Sequence, residues 1–262
     1  MITQLCAQSS LEHLNNVKKE LNLNEDHVAY IINGCVQLLI RPKAENNIQI
    51  ILESGAKLDL FCIYDSSSVN DFHIVVNNRA SVNLTHVCIG SLVKNNVIVD
   101  LKGEHAQCRS VEVSYSASQD LFESSIMINH HAQSTHSVVD TRSIVDDFAV
   151  LIGHGNILVS KAAQCSVAKL THHILLLSKD AHAETIPAME VLSDDVVAAH
   201  AASTSRIAQD QLVYLGIKGI NADDAKKMIA LGFLQSILKS HEEQTRIMNL
   251  VEEKWSKLHC RK

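Results

Sequence analysis

The chain has 262 residues, with 23 Lys and Arg against 29 Asp and Glu and a formal charge of −6. That balance, with no basic patch interleaved with aromatics, excludes a nucleic-acid surface, because phosphate neutralisation needs a clustered cationic excess. Aromatics make up 4% of the residues and Gly and Pro are scarce, so the core must come from Val, Ile, Leu and Ala, which favours regular stacked structure over a loop-rich design.

The longest apolar runs, Val28 to Ile32, Ile48 to Leu52 and Ile174 to Leu177, are too short to span a bilayer. No basic stretch precedes an apolar one at the N-terminus, so secretion is not expected. Cysteines stand at 6, 35, 62, 88, 108, 165 and 260 without a CxxC pair, which fits neither a disulfide framework nor a local zinc site. A cytoplasmic, reducing location follows, with most thiols buried as small hydrophobes.

In chain order, Ser9 to Leu23 predicts an amphipathic helix: Leu11, Leu14, Val17 and Leu21 recur near helical period, and Ser9 with Glu12 makes a capping-box pattern. Val28 to Ile32 and Cys35 to Ile40 flank Asn33-Gly34, a two-residue hairpin signal. Residues 1–46 thus read as an N-terminal helix and hairpin.

From about Asn47 a repeat takes over. Ala56, Ala80, Ala106, Ala132 and Ala163 open short alternating runs, the first four separated by 24, 26 and 26 residues. Short strands at such a period predict a parallel β-solenoid over 47–206, each coil stacking its inward side chains on the next, with Ala at the crowded corners. Short alternating strands also fit an antiparallel sandwich.

After Ile207 the period becomes helical, and 207–262 reads as a helical C-terminal region. Asn221 caps a helix with Asp224 at the third position, and Ala225, Met228, Ile229, Phe233 and Ile237 form its stripe. Ser240 with Glu243 opens a last helix carrying Ile247, Leu250, Val251, Trp255 and Leu258 on one face. A solenoid end exposes unpaired strand edges, so these helices are expected to cap it or to carry a partner-binding face.

The segment from His200 to Phe233 resembles the SufB/SufD family of SUF-type iron–sulfur cluster assembly scaffolds. His200, Ala202, Thr204, Ser205, Ile207, Asp210, Gln211, Leu212, Tyr214, Gly219, Ile220, Asp224, Ala225, Met228, Ile229, Gly232 and Phe233 fall in register with a pattern close to H-E-A-T-T-S-K-I-x-x-D-Q-L-F-Y, then R-G-I and D-A-x-x-M-I-x-x-G-F. Asn129-His130-His131-Ala132, Gly155-x-Ile157-x-Val159 and Thr185-x-Pro187-x-Met189-Glu190 extend the similarity upstream, to roughly residues 100–238. The resemblance implies a mainly β protein, a right-handed parallel β-helix followed by an α-helical region. It also implies a non-catalytic subunit that works with a SufC-like ABC ATPase, in a homodimer or a SufB/SufD-like heterodimer, supplied by a cysteine desulfurase or other sulfur donor. The iron–sulfur cluster would be transient cargo.

Cluster assembly needs thiolate, imidazole or carboxylate ligands. The resemblance directs attention to His200, shared by both paralogues, and to His172 at the position of a late-rung cysteine; Cys165, Cys108 and Glu190, on the rungs, are further candidate ligands. Ala201 replaces the glutamate of SufB-like members, so a non-ligating partner that stabilises and activates the ATPase is the alternative. The plain structural readings are a corner hydrogen bond for His200, an outward solvated pair for His172 and His173, and inward inert thiols for Cys165 and Cys108. His130, His131, His136 and His154 also read as a metal cluster, although 15 histidines make chance clusters common. Gln211, Tyr214, Gly219, Ile220, Asp224, Met228 and Phe233 are the expected ATPase-docking set. No HExxH, phosphate loop or G-x-S-x-G elbow is present. A polysaccharide-acting solenoid enzyme lacks both a secretion signal and an aromatic-lined acidic cleft here.

Overall fold

The computed structural model describes residues 10–23, 27–238 and 241–259. Among these, sixteen strands precede three helices. One sheet runs β1 (Ser10–Asn15), β3 (His27–Asn33), β5 (Ala44–Leu52), β7 (Ser68–Val76), β9 (Leu92–Leu101), β11 (Leu121–His130), β13 (Val150–Val159) and β15 (His182–Val191). The other runs β2 (Lys18–Leu23), β4 (Cys35–Pro42), β6 (Lys57–Tyr64), β8 (Ser81–Cys88), β10 (Gln107–Ser116), β12 (His136–Val145), β14 (Ser166–Leu176) and β16 (Val196–Arg206). Every pairing is parallel, and each coil contributes one strand to each sheet. This is the expected parallel β-helix, and the antiparallel sandwich is set aside.

Alternation builds the core. On each strand every second side chain points into the lumen, where Ile32, Ile50, Leu60, Phe72, Leu84, Val99 and Phe122 are almost fully buried. Such runs cannot be satisfied by a lone coil, because one face of each strand meets only the coil above and below.

Where the chain passes from the first sheet to the second, the corner residue takes a left-handed conformation: Gly34, Gly55, Arg79, His105, Ser134 and Cys165 all have φ between +55° and +77°. Their amides stack as a second ladder, Gly55 N–H to Asn78 O, Arg79 to Glu104, His105 to Gln133, Ser134 to Gln164 and Cys165 to Asp195. Ala56, Ala80 and Ala106 follow these corners fully buried, as expected of small corner residues. Lys57, Ser81, Gln107, His136 and Val167 lie in mutual register, so the coils lengthen toward the C-terminus. Thr135 and Ser166 therefore take the position that the even spacing gave to Ala132 and Ala163.

Two N-terminal expectations are corrected. Leu11, Leu14, Val17 and Leu21 lie on β1, β2 and the corner between them, not on a helix. Asn16, at φ 50°, turns the chain between two strands whose backbones find partners on β3 and β4, and that pairing outweighs the weak helical spacing. Ser9 lies outside the described residues. Asn33-Gly34 is not a hairpin either: Gly34 turns the chain onto the opposite sheet, and β3 and β4 pair with other coils. A positive-φ glycine marks a tight turn, but a solenoid corner needs one as much as a hairpin does.

Three helices follow: α1 (Gln209–Ile217), α2 (Ala222–Gln235) and α3 (His241–His259). The Asn221 side chain accepts the Asp224 amide at 2.9 Å, the predicted cap; Ser240 lies outside the described residues. The helices do not cover the solenoid's end. Ala230 and Leu234 of α2, with Ile247, Val251 and Trp255 of α3, pack on Val87, Val111, Val113, Tyr115, Ile144 and Leu175 along the outer flank of the second sheet. The outward side chains of that flank are apolar, which is why it draws the helices.

Candidate functional site

The last coil is open. Among the described residues β15 pairs only with β13 and β16 only with β14. Their inward side chains have a coil beneath and none above: Ala183, Thr185, Pro187 and Met189 over Leu151, Gly153, Gly155 and Ile157, and Ala198, His200, Ala202 and Thr204 over Ala168, Leu170, His172 and Ile174. His200 is therefore an exposed imidazole in a lumen-facing position, directly over Leu170. It sits in mid-strand rather than at a strand-to-helix corner.

His172 does not face out. It is buried beneath Ala202, its Nδ1 3.1 Å from Thr141 Oγ1, and burial, with His173 beside it, lowers its pKa to about 4. Gly155 makes room for it, since a Cβ there would come within 2.5 Å of His172 Nε2. His173 is the outward member, 2.6 Å from Ser203 Oγ.

Cys165 is also corrected. It occupies the left-handed corner before β14, exposed, and its thiol donates to Asp195 Oδ2 at 3.0 Å, which raises its pKa. Cys108 is the inert thiol expected, buried on β10 and pushed by desolvation up to about 12. Glu190 projects outward from β15, in register with Leu158. These five residues do not surround a common point, and among the described residues no group of three or more His, Cys, Asp and Glu is placed to hold a metal ion. The other histidine cluster disperses too. His130 is buried between Thr135 Oγ1 and Ser137 Oγ, at 2.8 Å from each, while His131 and His73 flank the Asp100 carboxylate.

The helical docking set is mostly exposed. Tyr214 and Met228 are 60% and 51% accessible, next to exposed Val213 and Ile217, and α1 buries none of its residues. Gln211, Gly219 and Asp224 are exposed and Ile220 half-buried. Phe233 differs: it packs under the Arg142 guanidinium, 5.0 Å from its ring centre, and anchors α2 to the solenoid.

Sequence reading missed a polar file inside the lumen. Cys62, His86, Glu112, Thr141 and His172 are in direct register on β6, β8, β10, β12 and β14. Asn46, Asn70, Asn95, Ser124, Gly153 and Thr185 form a second file on the other sheet. The two meet where Tyr64 donates to Asn95 Oδ1 at 3.2 Å and Ser124 donates to Glu112 Oε2 at 2.6 Å. The phase of the alternation carried this signal, but only once the coil lengths were known.

Desolvation raises the Glu112 pKa from 4.5 to about 7, against the opposing bond from Ser124. Between those values the folded chain holds a proton that the unfolded chain has released, so this group's contribution to stability is complete below pH 4.5 and is lost as pH rises to about 7. Glu112→Gln cannot ionise. Its stability relative to wild type is expected to rise by up to about 3 kcal/mol between about pH 4.5 and pH 8, read from urea unfolding at both; a difference independent of pH would contradict the assignment.

The fold is a long parallel β-solenoid with an uncovered, histidine-bearing end coil, followed by helices of which α1 is exposed. The family model for the SUF system FeS cluster assembly SufBD core domain matches residues 13–233, and the chain belongs to that family. It is 26% identical over 155 residues to the iron–sulfur cluster assembly protein SufD of Escherichia coli, a match covering 59% of this chain and 37% of that protein. It is also 26% identical over 139 residues to an iron–sulfur cluster assembly SufBD family protein of Staphylococcus saprophyticus, covering 53% of this chain and 30% of the relative. The chain thus matches about a third of the length of these curated relatives.

Proposed function

We propose that this chain is a non-catalytic scaffold subunit of a SUF-type iron–sulfur assembly complex in the cytoplasm, that its open end coil joins a second scaffold subunit, and that the cluster forms at that junction as cargo. The observation that carries this reading is the lumen-facing His200 on an end coil with free strand edges and half-buried Ala183 and Met189. Among the described residues one chain brings no ligand set together, whereas two end coils would add a second imidazole or thiolate beside His200. The second subunit is another copy or a SufB/SufD-like paralogue, and sulfur arrives from a cysteine desulfurase or equivalent donor. The exposed apolar residues Val213, Tyr214, Ile217 and Met228 are the docking face for a SufC-like ABC ATPase, with Gln211, Gly219, Ile220 and Asp224 around them. His172 is not a ligand in this reading, because its imidazole is covered by Ala202.

The two surfaces are separable. Ala202→Arg places a cation on the uncovered inner face and is expected to abolish scaffold pairing while leaving ATPase capture intact; Tyr214→Ala with Ile217→Asp is expected to do the reverse. Co-expression with the ATPase, followed by sedimentation of the purified complex, reads both. Pairing that survives Ala202→Arg would move the junction away from the end coil.

A further inference from the structure

Lumen side chains change character midway along the solenoid. In β6 and β8 the inward positions include Leu58, Leu60, Val82 and Leu84, but in β10 and β12 they include Ser110, Glu112, Ser114, Ser116, Ser137, Thr141 and Ser143. On the facing sheet Asn95 and Ser124 are followed by Gly153 and Thr185. Small side chains replace large ones while the coils lengthen, so the same lumen holds less protein.

Several polar atoms there have no partner. His86 Nε2, Ser114 Oγ, His172 Nε2 and Thr185 Oγ1 are buried without a protein hydrogen bond. The case is sharpest at His86: its Nδ1 lies 2.8 Å from the Tyr64 hydroxyl, and whichever of the two donates, Nε2 is left with no protein partner. Each such buried group costs about 1–3 kcal/mol if it stays unmet. Beside Thr185 the missing side chain of Gly153 leaves a methyl-sized gap, in which a Cβ would make ordinary contact with Thr185 Oγ1 at 3.6 Å. Polar lining with space for a small molecule is the condition under which buried water is bound rather than an empty cavity left.

We infer that the second half of the lumen binds a file of ordered waters, running from His86 past Glu112 and Ser114 to His172 and Thr185 and ending beneath the open end coil. The waters pair with His86 Nε2, bridge Ser114 to the coil above, and meet the hydroxyl of Thr185, which lies in the last coil itself. The interior is therefore in contact with solvent at the end that carries His200, and the buried carboxyl and imidazoles exchange protons through that end.

Oxygen-17 magnetic relaxation dispersion of the full chain counts long-lived internal waters and tests this directly. Wild type is expected to show several, and Ser114→Ala and Thr185→Val, each of which removes a hydroxyl with little change of shape, are expected to show fewer and to melt at lower temperature. A dry lumen predicts the opposite: no long-lived water in wild type, and higher melting temperatures in both variants because an unmet buried hydroxyl has been deleted. No long-lived water in wild type, or an unchanged count in both variants, overturns the inference.

Discussion

Replacing Lys254 by Ala is expected to cost about 3–5 kcal/mol and to release α3 from the solenoid. The Lys254 ammonium uses its three protons on Asp120 Oδ2 at 2.6 Å, Ile89 O at 2.8 Å and Tyr115 O at 2.9 Å. Both side chains of the ion pair are nearly buried, with 15% and 9% accessible. Removal of the cation leaves Asp120 buried beside two carbonyls with no opposing charge, and that uncompensated carboxylate is the main cost. Lys254→Met combined with Asp120→Asn is therefore expected to recover most of the loss, since it removes both charges together. Trp255, the single tryptophan, stacks on Tyr115 at 5.4 Å, so its fluorescence during chemical unfolding reports α3 specifically. A loss below about 1 kcal/mol, the range of an exposed ion pair, would mean that α3 is held by its apolar face alone.

Gly103→Ala is expected to cost about 3–4 kcal/mol or to prevent folding, because overpacking here meets backbone. A Cβ on Gly103 would overlap the main chain of Asn77 and Asn78 in the coil below. That corner cannot yield. The Gly103 and Lys102 amides both donate to Val76 O, and Asn77 donates to Leu52 O through its amide and its side chain. By contrast Gly55, also at a corner, has open space around its missing Cβ and is needed for its positive φ of 77°. Gly55→Ala should therefore cost only about 1 kcal/mol. Thermal unfolding of the two variants side by side measures the difference; equal losses would contradict the close-stacking account of Gly103.

Much of this architecture is legible in the residues. Ala56, Ala80 and Ala106 mark successive corners, and the Asn221 cap with the Ile247, Val251, Trp255 face marks helices, because these features depend on local chemistry that holds in any context. The first 23 residues misled for the same reason. Leu11, Leu14, Val17 and Leu21 have a spacing that a short helix would accept, and only the free edges of β3 and β4 decide for strands. Asn33-Gly34 shows a related limit, since it specifies a turn without specifying which strand the chain pairs with next.

The candidate site was partly legible. His200 was found through the pattern around it, and the structure places it on the open coil. Its neighbours were misplaced because strand phase decides them: His172 falls on the lumen side and His173 outside, and a one-residue shift would exchange the pair. Cys165 reads as a strand residue because alternation runs through it, yet its positive φ puts it in a corner. The file of Cys62, His86, Glu112, Thr141 and His172 was hidden by unequal coil lengths, which keep these residues from recurring at a fixed spacing. The Lys254–Asp120 contact joins positions 134 residues apart, and nothing local announces it.

The most direct test of the scaffold account is anaerobic reconstitution of this chain, purified with the proposed ABC ATPase partner, using ferrous iron and sulfide, followed by assay of retained iron and the visible spectrum of the cluster. The account predicts that wild type and Cys108→Ser retain a cluster alike, and that His200→Ala loses most of it while still pairing and holding the ATPase. Equal retention by wild type and His200→Ala, whether both load or neither does, would contradict a cluster-bearing junction at the open end coil.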